Sequence, residues 1–241
     1  MQTTSAVEIT RNAVVPHAGQ LQARGEAANG RQPSCITSLQ CYQPKDVIFY
    51  QGDPCEHLFE VVEGVVKLYK LTPDGRRQVT GFLYPGQFLG LGWNELYTQT
   101  AEAVSGAKLC RYPHAKLDEW LTLYPALGRR LLSATTTELV LAQDQMLLLG
   151  RKTARERIAS FLVRLLERQE DDDDPSDEIY LPMIRADIAD FLGLTAETVS
   201  RVLGRLRDCR IIEIPDHGCI QVCDRDRLEE LAEGDEDRFL D

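Results

Sequence analysis

The chain has 241 residues, room for two modest domains, and its 43% hydrophobic and 27% charged content is that of a soluble globular protein. Its 38 acidic residues outweigh 27 basic ones; the net charge of −11 argues against nonspecific coating of nucleic acid but leaves specific binding open wherever the local field is positive. No stretch approaches the roughly 18 apolar residues of a membrane span, the N-terminus has no apolar signal core, and seven Cys do not suggest a secreted disulfide framework, so a cytoplasmic protein with no membrane partner is expected.

Residues 1–34 are polar, carry Gly19, Gly25, Gly30 and Pro33, and hold no periodicity, which predicts a flexible leader. From about residue 45 the period becomes two. Residues 46–50, 58–62, 65–69 and 78–82 read as short strands, separated by turns at Gly52-Asp53, Glu63-Gly64, Asp74-Gly75 and Pro85-Gly86. Glycines recurring every 11 or 12 residues suit an antiparallel sandwich or jelly roll. A carbohydrate binder, a cupin-type enzyme or a sensor can be built on such a module. A metal-binding cupin needs clustered His and carboxylates, and only His57 and His114 fall in or near this region.

After Pro125 the pattern turns helical. Leu132, Thr135, Leu139, Ala142, Met146 and Leu149 follow a 3-4-3-4-3 spacing, a coiled-coil seam of about two and a half heptads. The alternative is a helix packed on its own β-domain. Gly150 is a candidate hinge, and a further helix follows, with Ile158, Phe161, Leu162, Leu165 and Leu166 as its apolar stripe. The acidic run at 171–174 reads as a solvated loop, and residues 179–183 as a short strand.

Residues 185–210 have the pattern of a helix-turn-helix. A short amphipathic segment bearing Ile188, Phe191 and Leu192 ends at Gly193-Leu194, Thr195 offers an N-cap hydroxyl, and Glu197 falls in the first turn of the second helix. At 100° per residue Val199, Val202, Leu203 and Leu206 share one face, with Glu197, Ser200, Arg201, Gly204 and Arg205 on the other. The N-terminal residues of such a helix reach base edges in a major groove. Arg201 is suited to guanine O6 and N7, Glu197 to cytosine N4, Ser200 to a base or phosphate. Thr195 and Arg205 are candidates for the helix cap or backbone contact. The competing reading is a solvated charged face. Cys209 ends this helix beside Arg207 and Arg210, a cationic setting that promotes thiol oxidation. Residues 211–214 and 219–222 flank Pro215-Asp-His-Gly218 as the hairpin wing of a winged helix, and a charged helical tail follows Asp224.

The sequence Gly193-Leu194-Thr195 followed by Glu197-Thr-Val-Ser200-Arg201 resembles the E-x-x-S-R recognition helix of the CRP/FNR family of bacterial transcription regulators, nearest its FNR and FixK branch. The order Gly52-Asp53, Gly64-x-Val-Lys67, Gly75 and Pro85-Gly86 resembles that family's effector domain, so the likeness spans roughly residues 45–225. It implies an α+β protein: a leader at 1–34, an antiparallel β-roll (jelly-roll) effector domain at 35–124, a dimerisation helix at 125–150 whose interface is Leu132, Leu139, Ala142, Met146 and Leu149, and a winged helix-turn-helix DNA-binding domain at 151–241. It further implies a homodimer on double-stranded DNA with a palindromic, TTGA-type operator, contact with RNA polymerase through residues 71–80, and control of low-oxygen or nitrogen-linked genes, with no catalytic activity.

Two family cofactors are weighed against the residues. Members that bind a cyclic nucleotide use a Gly-Glu near the phosphate and an Arg followed by Ser or Thr. Here that stretch reads Gly90-Leu91-Gly92-Trp93 and Thr100-Ala-Glu-Ala103, with no Arg between Arg77 and Arg111, so no cyclic nucleotide is expected. FNR-type members hold an iron–sulfur cluster on closely spaced N-terminal Cys and one Cys of the β-domain. Cys110 sits where that last ligand falls, and Cys35-x5-Cys41 has one of the expected spacings. A third N-terminal Cys is missing, and Cys41 lies late, at the first strand. No cofactor is therefore expected; Cys35, Cys41, Cys110 and Cys209 stay open as cluster or redox thiols, with Cys110 as a small core residue the alternative. Two rivals remain: an enzyme built on the β-domain, whose clustered acid–base or metal ligands are not evident, and a ligand sensor whose helix-turn-helix serves protein contacts.

Overall fold

The computed structural model describes residues 38–91, 95–171, 176–216 and 218–234; the expected leader lies outside them. Eight strands form two four-stranded antiparallel sheets. One has the order β1 (Ser38–Tyr42), β8 (Ala107–Pro113), β3 (His57–Glu63), β6 (Phe88–Leu89); the other runs β2 (Val47–Phe49), β7 (Thr100–Ala103), β4 (Val66–Leu71), β5 (Arg77–Leu83). Their facing sides bury Phe49, Phe59, Val61, Val66, Leu68 and Leu109, the alternate residues that the period of two predicts. The β3–β4 turn needs glycine twice over: Gly64 has φ +84°, and a Cβ there would stand 2.1 Å from the Gly106 carbonyl oxygen.

Outside the first sheet lie a 3-10 turn (His114–Lys116), α1 (Leu117–Leu123) and the long α2 (Pro125–Arg151). Leu117, Trp120 and Leu127 pack on Leu58, Phe88 and Tyr112 of the sheet's outer face. Glu60 ties α2 to the sheet, taking a hydrogen bond from Tyr112 at 2.7 Å and an ion pair from Arg130. Pro125 starts α2 at a position where its missing N–H costs nothing. The helix runs through Gly150, so that residue is not the hinge; the break comes at Lys152, whose ψ of 144° is extended. A reciprocal cap restarts the chain: Thr153 Oγ1 accepts from the Glu156 N–H, and Glu156 Oε2 accepts from the Thr153 N–H. It opens α3 (Ala154–Asp171).

The C-terminal part comprises α3, a three-stranded sheet ordered β10 (Ile212–Asp216), β11 (Cys219–Val222), β9 (Glu178–Tyr180), the pair α4 (Arg185–Leu192) and α5 (Ala196–Asp208), and α6 (Arg225–Glu233). The wing is longer than expected, because Pro215 and Asp216 continue strand β10 beyond a register shift. The apolar core of this half does not stop at its own elements. Val65 and Val79 belong to it, with Tyr69, Phe82 and Tyr84 packed alongside, so one face of the β4–β5 hairpin is buried against the helices α3 and α4.

Candidate nucleic-acid interface

The α4–α5 pair is joined by a turn that the local sequence dictates. Gly193 takes φ +64°, the left-handed conformation that closes α4, and its N–H returns to the Ala189 carbonyl. Thr195 is extended, and its hydroxyl accepts from the Thr198 N–H at 3.1 Å. Below, Val199, Val202, Leu203 and Leu206 are buried; above, Thr195, Glu197, Ser200, Arg201 and Arg205 are exposed. The expected division of α5 into a seated face and an outward face is therefore the one observed.

On the outward face Arg201 donates to Glu197 Oε1 at 2.6 Å, one turn away along the helix. The pair holds the guanidinium and the carboxylate side by side on the first two turns. Both side chains remain well exposed, at 67% and 80%. Ser200 Oγ donates to the Ala196 carbonyl at 2.9 Å, leaving its oxygen as acceptor outward. Arg185, at the start of α4, keeps one guanidinium nitrogen buried without a hydrogen-bond partner among the described residues, and burial lowers its pKa.

The α2 seam is exposed in the single chain: Leu132 at 70%, Leu139 at 59% and Met146 at 65%, with Ala142 exposed and Leu149 half-buried. The face that packs on the β-domain is a different one, carrying Leu127, Leu131 and Ala134. An uncovered apolar row of this length suits a second helix.

The β-roll holds a cavity of about 220 Å³ lined by Phe49, Leu68, Phe88, Leu89, Tyr97 and Glu138. Tyr97 stacks on Phe49 at 3.7 Å between ring centres, and its hydroxyl donates to the His57 carbonyl. The described lining includes no Lys or Arg. The one ionisable carboxylate there, Glu138, is held above the usual range by desolvation. A cyclic phosphate would meet a carboxylate instead of a cation, so this donor set does not fit one.

Cys41 on β1 lies opposite Lys108, and Leu39 opposite Cys110, so Cys41 and Cys110 occupy one sheet face as diagonal neighbours, about 7–8 Å apart in Cα position. The lateness of Cys41 in the sequence thus places it beside Cys110. Cys110 itself packs against the helical cluster that includes Leu131 and Ala134. Cys35 lies outside the described residues, and among those described no group of three or more His, Cys, Asp or Glu is placed to hold a metal. His57 is turned to Arg111, 2.5 Å away. Cys209 is half-buried at the C-cap of α5, against the domain core. Of the expected polymerase loop, Leu71 ends β4, residues 77–80 are part of β5, and Arg77, Gln78 and Val79 are turned toward the helices; only 72–76 form an exposed turn.

Sequence reading missed the contacts that hold α4. Lys67 of β4, 4% exposed, lies 3.0 Å from both oxygens of Asp187, which is 3% exposed, and 2.9 Å from Glu102. Arg77 of β5 bonds Asp187 at 2.6 Å and Asp190 at 2.7 Å. The available signal was Asp187 itself, a carboxylate on the stripe of Ile188 and Phe191, where a solvated residue is out of place.

Comparison with known proteins agrees with this architecture. Residues 39–124 match the cyclic nucleotide-binding domain family and residues 156–231 the Crp-like helix-turn-helix domain family. The chain is 41% identical to the transcriptional activatory protein AadR of Rhodopseudomonas palustris, over 79% of this chain and 80% of that one. It is equally similar, at 41%, to the nitrogen fixation regulation protein FixK of Bradyrhizobium diazoefficiens, over 78% of each. The structure of FixK2 from Bradyrhizobium japonicum superposes with a TM-score of 0.74 at 36% identity, covering 81% of this chain and 96% of that one.

Proposed function

Because this chain belongs to the CRP/FNR family of transcription regulators, we propose that it acts in the cytoplasm as a homodimer that binds a TTGA-type palindrome and activates transcription. The observation that carries this reading is the α5 face: Glu197 and Arg201 bonded to each other in the open, on a helix whose other side is locked into the core. On DNA that mutual bond is exchanged for base edges, Arg201 to a guanine and Glu197 to a cytosine N4. Ser200 adds a contact, Thr195 holds the helix start, and Arg205 reaches a phosphate. Two chains joined along Leu132, Leu139, Ala142, Met146 and Leu149 bring two such helices to successive turns of the major groove, about 34 Å apart.

The exposed turn at 72–76 is the proposed contact for RNA polymerase, and low-oxygen or nitrogen-linked genes are the proposed targets, the nitrogen link in keeping with the name of the FixK relative. The reading needs no cyclic nucleotide and no iron–sulfur cluster. Binding of the purified dimer to a fluorescent TTGA duplex tests it. Arg201→Ala is expected to lose roughly 1–3 kcal/mol against the cognate sequence, about 5- to 150-fold in Kd. Unchanged affinity in that variant removes the assignment of Arg201, and no preference of the wild type for the palindrome favours a helix-turn-helix that serves protein contacts.

A further inference from the structure

The last four carbonyls of any α-helix lack intrahelical partners. In α4 all four are taken, and three of them by side chains from three different parts of the chain. The Ala189 oxygen accepts from the N–H groups of Gly193 and Leu194. The Asp190 oxygen accepts from Gln78 Nε2 of β5 at 2.6 Å. The Phe191 oxygen accepts from Gln145 Nε2 of α2 at 2.8 Å. The Leu192 oxygen accepts from an Arg157 guanidinium N–H of α3 at 2.9 Å. Arg157 also donates to the carbonyls of Leu149 and Lys152, at the end of α2 where the chain breaks.

A helix-turn-helix needs none of these bonds to seat its own recognition helix, which packs through Val199, Val202, Leu203 and Leu206. Gln145 and Arg157 fix the angle between α4 and α2, and Gln78 fixes α4 on the β-roll from which α2 extends. The turn from α4 to α5 is three residues long, so α5 follows α4. Since α2 is the proposed dimer axis, that angle sets where the two recognition helices stand relative to each other.

We propose that Gln78, Gln145 and Arg157 are positioning residues that set the spacing between the two half-sites this regulator accepts. The proposal rests on the DNA-binding reading above. Gln145 occupies the position flanking the apolar seam, one residue before Met146, so it links the dimer helix directly to the helix that carries the reading head. Gln78 does the same from the β-roll. Neither touches DNA in this arrangement, and each contributes discrimination through α4 alone.

The test uses the full chain and its Gln78→Ala, Gln145→Ala double variant. Three duplexes are titrated: a TTGA palindrome with half-sites centred one helical turn apart, the same palindrome with two base pairs inserted at its centre, and a single half-site. Dimer mass is checked by sedimentation, and amide exchange is followed over the α4–α5 turn. The double variant is expected to bind the palindrome about 10-fold more weakly, the loss from two hydrogen bonds. It should bind the single half-site as the wild type does, and it should lose most of the penalty for the insertion. Exchange at Gly193 and Leu194 should rise. A merely destabilised protein would weaken on all three duplexes in proportion. Wild-type spacing discrimination and wild-type exchange in the variant overturn the proposal while leaving DNA recognition standing. A wild type with no preference for TTGA, with faster exchange in the variant, instead sustains the clamp on α4 and overturns the DNA reading it was proposed to serve.

Discussion

Glu138 is an exposed residue of α2 that also lines the β-roll cavity. It sits at the cavity of the β-roll, one position before Leu139 of the seam, and desolvation raises its carboxyl above the ordinary 4.5. The sign follows directly. A raised pKa means the folded state binds this proton more tightly than the unfolded chain, so the contribution to stability is full below the ordinary carboxylate range and is lost as pH rises through the raised value. At neutral pH the ionised group is a small cost, because the side chain remains open to solvent. Glu138→Gln is therefore expected to melt at a higher temperature than the wild type at pH 7 and at the same temperature below about pH 4. Equal melting at pH 7 would show that the carboxylate is solvated after all.

At the scale of the element, α2 presents two apolar faces, one packed and one open. Leu127, Leu131 and Ala134 belong to the cluster on the β-roll's outer surface, while Leu132, Leu139 and Met146 stay open. The partition answers the alternative that the 3-4 seam packs on its own domain for Leu132, Leu139, Ala142 and Met146, which are uncovered, whereas Leu149 is half-buried against the C-terminal core. A carboxylate at the centre of that row is incompatible with a second helix against it. Leu139→Asp is expected to weaken the dimer by about 100-fold or more, since each copy loses roughly 1.5–3 kcal/mol of apolar burial and the seam gains two unpaired charges. Sedimentation at micromolar concentration reads the outcome directly, and a dimer of wild-type affinity would place the interface elsewhere.

At the scale of the molecule, the two halves are joined by a continuous interface and not by a tether. Phe82 of β5 meets Phe191 edge-on at 5.3 Å and Phe161 at 6.4 Å, Arg168 of α3 stacks on Tyr84 at 3.9 Å, and the Lys67–Asp187 pair is sealed beneath. A buried ion pair is held in place mainly by the cost of leaving one partner alone. Asp187→Ala should cost about 3 kcal/mol, the low end for breaking a buried pair, because Lys67 keeps Glu102 and Arg77 keeps Asp190. Lys67→Met in the same chain should recover only part of that loss, because Glu102 then loses its cation, and a double-mutant cycle in denaturant resolves the coupling. Additive losses would mean that the two residues act independently.

Much of this was legible in the chain. Periods of 2 and 3.6 predicted strands of a sandwich or jelly roll, the long helix and the helix pair with its hairpin, because burial on one face writes itself into local spacing, while the resemblance to the CRP/FNR family implied the β-roll. The outward face of α5, the Thr195 cap and the Gly193 turn were readable for the same reason: each is decided within a few residues. Strands β1, β6 and β7 are short or lack alternation, and α1 is only seven residues long, so these left no clear signal. Above all, no local pattern says that Lys67 and Arg77 face Asp187 and Asp190 across more than a hundred residues, or that Gln78, Gln145 and Arg157 converge on one helix end. The sequence by itself determined the longer periodic elements and which face of α5 is free. Only the tertiary structure decided where that helix is held, because partners for buried charges and orphan carbonyls are set by proximity in space and not by spacing along the chain.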